Sequence, residues 1–209
     1  MFGIHDFGVF LAACIVLNLT PGPDTFYILG RSMAQGRAAG LASVFGIACG
    51  TVVHTLAAAL GISAILAASA SAFLVIKLAG AAYLIYLGIR MILTRSSPAA
   101  IPADFSSSGF LAIFRQGLIT NVLNPKVALF FLAFVPQFIS ADSTSKFAAF
   151  VTLGLSFVGT GTVWCLILVR GSSWLGDRLR HSRSFSNWLN RGAGALFVFL
   201  GIRLATTKS

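Results

Sequence analysis

The sequence predicts an all-α, polytopic membrane protein of six transmembrane helices that form a 3+3 inverted repeat, with helices one and four interrupted. Three observations lead to this fold class. Of the 209 residues 57% are apolar and only 10% are charged, prolines interrupt two long apolar segments, and three short motifs recur in the same order. Since a soluble domain carries roughly 25% charged residues, water is not the main solvent of this chain.

Six apolar segments are bounded by charged or turn-forming residues. A helix needs about 20 residues to cross the hydrocarbon core, so the chain has room for six crossings and for no separate soluble domain. The expected organisation is a single membrane domain over 1–209, with repeat one at about 1–93, a polar linker at about 94–110 and repeat two at about 111–205. The predicted helices cover residues 7–34 (interrupted at 20–24), 40–67, 72–93, 111–139 (interrupted near 124–125), 147–169 and 187–205.

The excess of basic residues indicates membrane topology. Fifteen Lys and Arg against five acids give a formal charge of +10, which on a soluble protein would suggest nucleic acid. Here the basic residues lie between apolar runs, where they meet anionic lipid headgroups, and no nucleic-acid partner is predicted. The loops after helices one, three and five hold ten arginines, against four Lys or Arg on the opposite side. By the positive-inside rule both termini are predicted on the non-cytoplasmic side, and reporter fusions with a cytoplasmic C-terminus would contradict this.

The repeat is visible in three matched motifs. Each half has three predicted helices, an odd number, so the two halves cross the membrane in opposite senses. This is the plan of many secondary transporters, whose substrate sites lie at interrupted helices near the bilayer midplane. The matches are Asn18-Leu-Thr-Pro21 with Asn121-Val-Leu-Asn124-Pro125, Gly50-Thr51-Val52 with Gly161-Thr162-Val163, and Leu87-Gly-Ile-Arg90 with Leu200-Gly-Ile-Arg203.

The first break lies in Asn18-Leu19-Thr20-Pro21-Gly22-Pro23-Asp24. Pro21 and Pro23 lack backbone donors, and Gly22 lets the chain turn. In hydrocarbon an unpaired backbone group costs several kcal/mol, so a break of this kind persists only against protein or a water-filled cavity. Asn18 and Thr20 can satisfy part of the freed backbone. A proline kink that only shapes packing is the alternative reading.

Asp24 favours a functional reading of this break. A carboxylate deep in a membrane helix costs about 2.5–3.5 kcal/mol, and such residues usually mark ion or proton pathways. The alternative is an aspartate at the end of a loop, since Arg31 is only two turns away.

The second break, at Asn121 and Asn124-Pro125-Lys126, places a cation about ten residues from either end of its helix. If the two breaks meet, Lys126 and Asp24 can pair when the site is empty, which would offset much of their desolvation. A structural salt bridge is one reading. The other is a ligand with both charges, such as an amino acid whose ammonium lies near Asp24 and the freed carbonyls, and whose carboxylate meets Lys126 and the positive end of a half-helix.

His54 lies in the middle of the second predicted helix, with Thr51 one turn before it. Imidazole titrates near physiological pH and suits a proton relay, although a hydrogen-bonded packing histidine fits equally well. No cofactor and no metal site are predicted, because the three cysteines are single and no His or Cys recurs at metal spacing. One His and one membrane Asp do not supply a protease, so an enzyme is not expected. A channel or ion permease and a non-transporting scaffold are the alternatives to a transporter.

These motifs together resemble the LysE/RhtB family of amino-acid exporters (LysE family translocators), over essentially the whole chain. The resemblance implies a bacterial inner-membrane exporter of amino acids or derivatives, driven by the proton gradient. Because Asp24 is the only acid deep in the membrane, neutral substrates are favoured. The oligomeric state stays open, with a homodimer among the options. The resemblance rests on Asn18–Asp24, Gly46-Ile-Ala-Cys-Gly50, Lys77-Leu-Ala-Gly80-Ala-Ala-Tyr83-Leu84 with Gly88, and Asn124-Pro125-Lys126 with Phe131.

Overall fold

The protein is all-helical throughout the part described by the computed structural model, which covers residues 2–62, 70–93, 108–140, 142–172, 174 and 183–206. Most of the predicted linker, residues 94–107, lies outside the described residues. The helix that ends at Ala57 continues as a π-helical turn over Ala58–Ile62, and the helix that ends at Leu129 continues as a π turn over Phe130–Phe134 and a 3₁₀ turn over Val135–Phe138. The helices are α1 (Phe7–Leu19), α2 (Pro23–Ala57), α3 (Ala70–Leu93), α4 (Phe110–Val122), α5 (Pro125–Leu129), α6 (Lys146–Arg170) and α7 (Arg183–Thr206).

The interruption predicted at residues 20–24 is present between α1 and α2. Helix α1 ends at Leu19, and Thr20 and Gly22 have extended backbones. Helix α2 then begins at Pro23. Proline fits here because backbone N–H groups in the first turn of a helix have no acceptor within the helix, so the missing N–H costs no hydrogen bond. The prolines thus end one helix and start the next within four residues.

A tight turn at Gly36 separates the two predicted helices 7–34 and 40–67. Gly36 has φ 81° and ψ −174° within an otherwise helical run, a conformation that favours glycine. Gly40 lies directly against the Ser32 side chain, so the chain folds back on itself at this point. The sequence predicted a connection of five residues, 35–39, between these helices, and this length is wrong because only Gly36 departs from helical geometry. One glycine makes the turn, and α2 has two arms, residues 23–35 and 37–57.

The second predicted interruption lies at Leu123 and Asn124, between α4 and α5. The Asn124 side chain accepts a hydrogen bond from the backbone N–H of Lys126 at 3.1 Å and so caps α5, which opens on Pro125. The two helical segments on either side, Phe110–Val122 and Pro125–Phe138, are bent by 47°. This half of the chain also has a helix that stops and restarts at a proline.

Two helical segments among the described residues are long and apolar enough to cross a membrane, Pro23–Gly61 and Lys146–Arg170, and a third exists if the bent pair is one span. The 39 residues of Pro23–Gly61 exceed the roughly 20 that one crossing requires, and they include the turn at Gly36. The chain is a multi-pass membrane protein. The remaining predictions, 72–93, 147–169 and 187–205, correspond to α3, α6 and α7.

Helix α2 packs along both α4 and α6, while α3 and α7 form a second closely packed pair. Glycines allow the closest approaches. A Cβ at Gly46 would overlap the backbone carbonyl of Phe114 in α4, and one at Gly88 would meet the backbone of Gly194 in α7. An apolar core made largely of phenylalanines connects α1, α6 and the turns that follow α5. These contacts hold the two breaks at the centre of the molecule.

Replacing Gly46 by alanine is expected to destabilise the protein, because the new methyl group would push α2 away from the α4 backbone. Overpacking of this kind costs about 1–3 kcal/mol, which lowers the Tm by about 2–12 °C in a chain of this size. Thermal unfolding in detergent measures the effect. Gly159→Ala in α6 is the matched control, since nothing lies within 4 Å of its Cβ position. Equal Tm values for the two variants would contradict the close α2–α4 contact.

Candidate functional site

The two helix breaks are in direct contact. The side chain of Asn121, near the end of α4, donates a hydrogen bond from Nδ2 to Oδ2 of Asp24 at 2.8 Å. Lys126, in the first turn of α5, reaches back to the end of α1 and donates from Nζ to the backbone carbonyls of Leu17 at 3.1 Å and Thr20 at 2.9 Å. The structure therefore places the acid of the first break and the cation of the second in one polar centre.

Asp24 lies in the first turn of α2, where the positive end of the helix dipole favours a carboxylate. Its Oδ2 accepts the bond from Asn121, whereas its Oδ1 is buried and accepts no hydrogen bond within the described part of the chain. Arg31, two turns further along the helix, donates to Gln116 Oε1 at 2.6 Å. Asp24 therefore has one carboxylate oxygen available inside the protein.

Lys126 departs from the sequence-based expectation. The sequence allowed Lys126 and Asp24 to pair in the empty site, but no nitrogen–oxygen contact within 4.0 Å joins these two side chains, both of which the structure describes. The ammonium instead binds the carbonyls of Leu17 and Thr20 at the end of α1. The physical reason is that these carbonyls, at the negative end of α1, also attract a cation.

Asn121 is the centre of the hydrogen-bond network. Its side chain is 1% exposed, and its Oδ1 accepts a bond from the Thr51 hydroxyl at 3.3 Å while its Nδ2 binds Asp24. His54 Nε2 lies 3.1 Å from the backbone carbonyl of Asn121, and the imidazole stacks on Phe131 with ring centroids 6.0 Å apart. Thr51 and His54 of α2 thus hold Asn121 in position against Asp24.

The remaining residues predicted for the site border the breaks. Asn18 donates to the Thr160 hydroxyl of α6 at 3.3 Å, and the Thr20 hydroxyl donates back to the Val16 carbonyl at 2.8 Å. Asn124 is 1% exposed, and its Nδ2 has no hydrogen-bond partner among the described residues. Gly22 passes close to the ammonium, since a Cβ there would lie 3.4 Å from Lys126 Nζ. Pro21, Pro23 and Pro125 shape the breaks and bring no polar group.

A cavity of about 40 Å³ lies at this centre. One water needs roughly 10–15 Å³ of such volume, so the cavity holds a few waters. Its polar wall is formed by the two breaks and its apolar wall by α2 and α6. The residues that line it include Asn18, Asp24, Thr51, Asn121 and Lys126 on the polar side, and Val44, Ile47, Phe157, Trp164 and Leu168 on the apolar side.

Sequence reasoning missed the contribution of α6. Phe157, Gly161, Thr162, Trp164 and Cys165 line the cavity, and the indole Nε1 of Trp164 is buried without a hydrogen-bond partner in the described part of the protein. The available signal was the run of small and polar residues at 159–162 in the middle of an apolar helix. Within the same described residues, no three His, Cys, Asp or Glu side chains group as a metal site would require.

The fold and this centre define a multi-pass membrane protein that keeps buried charges and a small cavity where two broken helices meet. Comparison with known proteins identifies the family. The profile described as LysE type translocator matches residues 15–208, and the chain belongs to this family. The resemblance inferred from the motifs is confirmed, and the protein is a translocator, not an enzyme.

Several proteins are similar over their full length. An uncharacterized membrane protein of Pseudomonas aeruginosa is 30% identical over 208 residues, covering 98% of this chain and 96% of the relative. A leucine efflux protein of Klebsiella pneumoniae is 27% identical, covering 100% and 98%. A leucine efflux protein of Salmonella typhimurium is 26% identical with the same coverage. No solved structure matches.

Proposed function

We propose that this translocator exports amino acids or their derivatives from the cytoplasm across the bacterial inner membrane. The observation that carries the proposal is the contact between the two breaks, where a carboxylate (Asp24) and an ammonium (Lys126) line one cavity. An amino-acid zwitterion carries the same two charges and can pair with both. The relatives named leucine efflux proteins support this substrate class.

In the proposed complex, Asp24 Oδ1 accepts a hydrogen bond from the substrate ammonium, because this buried oxygen accepts none in the structure. The substrate carboxylate lies near Lys126 and the first turn of α5, whose free N–H groups carry the positive end of the half-helix. Asn18, Thr20, Asn121, Asn124 and His54 position these groups. The breaks themselves are shaped by Pro21, Gly22, Pro23 and Pro125.

A preference for neutral amino acids follows from the walls of the cavity. Asp24 is the acid that lines it, and no second acid does so among the described residues. A lysine substrate would bring a second ammonium to a site that already holds Lys126. An aliphatic side chain would instead meet Phe157, Leu168 and Ile47, and each buried CH₂ contributes about 0.8 kcal/mol.

Proton antiport is the proposed source of energy. In this scheme Asp24 releases the substrate as it takes up a proton on the outer side and loses that proton on the cytoplasmic side. The two halves rock about the broken helices, so that the cavity opens to one side at a time. The cavity of about 40 Å³ is too small for an amino acid, so the proposed cycle requires it to widen before the substrate binds.

We infer six spans in two inverted halves of three. The broken pair α1 and residues 23–35 forms the first span, and residues 37–62 and α3 complete the first half. The broken pair α4–α5, α6 and α7 form the second. Matched lengths support this division, since α1 and α4 each have 13 residues before their breaks. Both termini then lie outside the cytoplasm, and the arginine-rich loops face the anionic lipid headgroups inside.

Inverted membrane vesicles with an imposed pH gradient test this function. We expect gradient-dependent uptake of leucine or another neutral amino acid, at least about tenfold faster than uptake of lysine. Vesicles without the protein, and loaded vesicles whose gradient has been collapsed, are the controls. Equal uptake of lysine and neutral amino acids would contradict the proposed preference. If no amino acid of a complete panel is taken up, the proposed substrate class is wrong.

A further inference from the structure

The C-terminal end of α1 carries a cation site that the protein fills with its own side chain. The site, here called the carbonyl site, consists of the backbone oxygens of Leu17 and Thr20. Lys126 Nζ donates to them at 3.1 Å and 2.9 Å across more than a hundred residues of sequence. Because the lysine belongs to a different half of the chain, the tertiary fold, and not the local sequence, brings its ammonium to the end of α1.

Pro21 and the extended backbone at Gly22 explain why these carbonyls can accept from Lys126. In a continuous helix the Leu17 carbonyl would accept from the backbone nitrogen of residue 21, but Pro21 has no N–H. The Leu17 oxygen accepts from the Thr20 N–H at 3.2 Å instead, and its second lone pair accepts from Lys126. The Thr20 carbonyl would accept from Asp24, but the extended backbone at Gly22 has already left the helix. The last carbonyls of α1 are therefore available to donors outside the helix, and they carry the negative partial charge of the helix dipole.

The carbonyl site borders the central cavity on its Leu17 side. Leu17, Lys126 and Asp24 line this cavity. Gly22 leaves the approach to the ammonium free of a side chain. A small amine in the cavity therefore lies next to the contact between Leu17 and the Lys126 ammonium.

We propose that the carbonyl site binds primary ammonium groups and that Lys126 is its tethered occupant in the empty protein. The next step rests on the proposed function. During transport the α-ammonium of the substrate replaces the Lys126 ammonium at the carbonyl site, and Lys126 moves to the substrate carboxylate. The exchange replaces one ammonium by another, so the carbonyls keep their hydrogen bonds. The displaced lysine gains a counter-charge, which avoids leaving an uncompensated buried charge.

This exchange selects for zwitterions. An amine without a carboxylate would displace Lys126 and leave its charge unpaired in the cavity. A carboxylic acid without an amine would draw Lys126 away and remove the ammonium that binds the Leu17 and Thr20 carbonyls, and the loss of such bonds is costly in a membrane. Only a ligand with both groups satisfies every partner at once.

The test uses purified Lys126→Ala, in which the carbonyl site is empty, and methylammonium chloride as the probe. We expect methylammonium to raise the Tm of this variant by about 3 °C or more, as binding to the folded state requires. Tetramethylammonium chloride at equal concentration has no N–H donor and is expected to give no shift. The wild-type protein is expected to respond to neither salt, because Lys126 fills the site.

Lys146→Ala is the matched control, because Lys146 also donates to a backbone carbonyl, that of Ser143 at 3.4 Å, but outside the cavity. Lys126→Met retains the length of the stem and is the second variant if the alanine variant does not fold. A folded Lys126 variant without a methylammonium-specific shift overturns the proposal. So does failure of both variants to fold with or without methylammonium, since Lys126 is then a structural helix cap. This readout requires no transported substrate, so it fails or succeeds independently of the proposed function.

Discussion

Asp24→Asn is expected to abolish export driven by a pH gradient while the fold is retained. Asparagine has the same shape, and its carbonyl oxygen can still accept the hydrogen bond from Asn121. It cannot carry the proton, however, and it loses the charge that binds the substrate ammonium. Loss of a hydrogen bond to a charged group costs up to about 3 kcal/mol, which alone corresponds to a decrease of roughly 100-fold in the initial rate in inverted vesicles.

The matched control is Asp6→Asn, because Asp6 is an exposed acid that pairs with Arg203 at 3.1 Å away from the cavity. Its export rate is expected to stay within about twofold of wild type. Substrate exchange without a gradient separates the two roles of Asp24. If the Asp24→Asn variant still exchanges substrate, Asp24 carries the proton only. If exchange is lost as well, Asp24 also binds the substrate. Normal gradient-driven export by Asp24→Asn would disprove both roles.

Asn121→Ala is expected to give the second large effect. The substitution removes the donor to Asp24 Oδ2 and the acceptor for Thr51, and it leaves the carboxylate without a hydrogen bond in the described site. A bond to a charged group is worth about 1.5–3 kcal/mol, so the export rate is expected to fall about tenfold or more. Initial export rates and Tm values of the same preparation distinguish loss of function from loss of fold.

Thr51→Val is the appropriate comparison for this variant. It removes the hydroxyl that binds Asn121 Oδ1 at 3.3 Å but leaves the contact between Asn121 and Asp24. We expect a smaller decrease in export than for Asn121→Ala. If both variants export alike, the position of Asn121 is not important for transport, and the network around Asp24 has only a structural role.

The breaks could be predicted from sequence because their cause is local. Proline lacks its N–H in any surroundings, so Pro21, Pro23 and Pro125 mark the ends of helices without knowledge of the fold. The family could be recognised for the same reason, since the motif around Asp24 is contiguous. The turn at Gly36 was predicted only as a longer gap, because a single residue with positive φ leaves no run of polar residues.

The partners of the charged groups could not be predicted because they depend on contacts between distant segments. Sequence paired Lys126 with Asp24 by charge alone, whereas the ammonium binds two backbone carbonyls that no side-chain pattern reveals. The wall formed by Trp164 and Phe157 was missed for a related reason. Large apolar residues are common in membrane helices, and their sequence does not indicate which of them face a cavity.

The glycine contact between the second arm of α2 and α4 has a consequence for the proposed motion. A Cβ at Gly46 would overlap the backbone carbonyl of Phe114, so the two backbones lie against each other at this point. In the proposed division, residues 37–62 belong to the first half and α4 to the second, and this contact therefore lies on the surface along which the halves would move. Because Gly46 has no side chain, a shift of one backbone along the other needs no change of rotamer at this position.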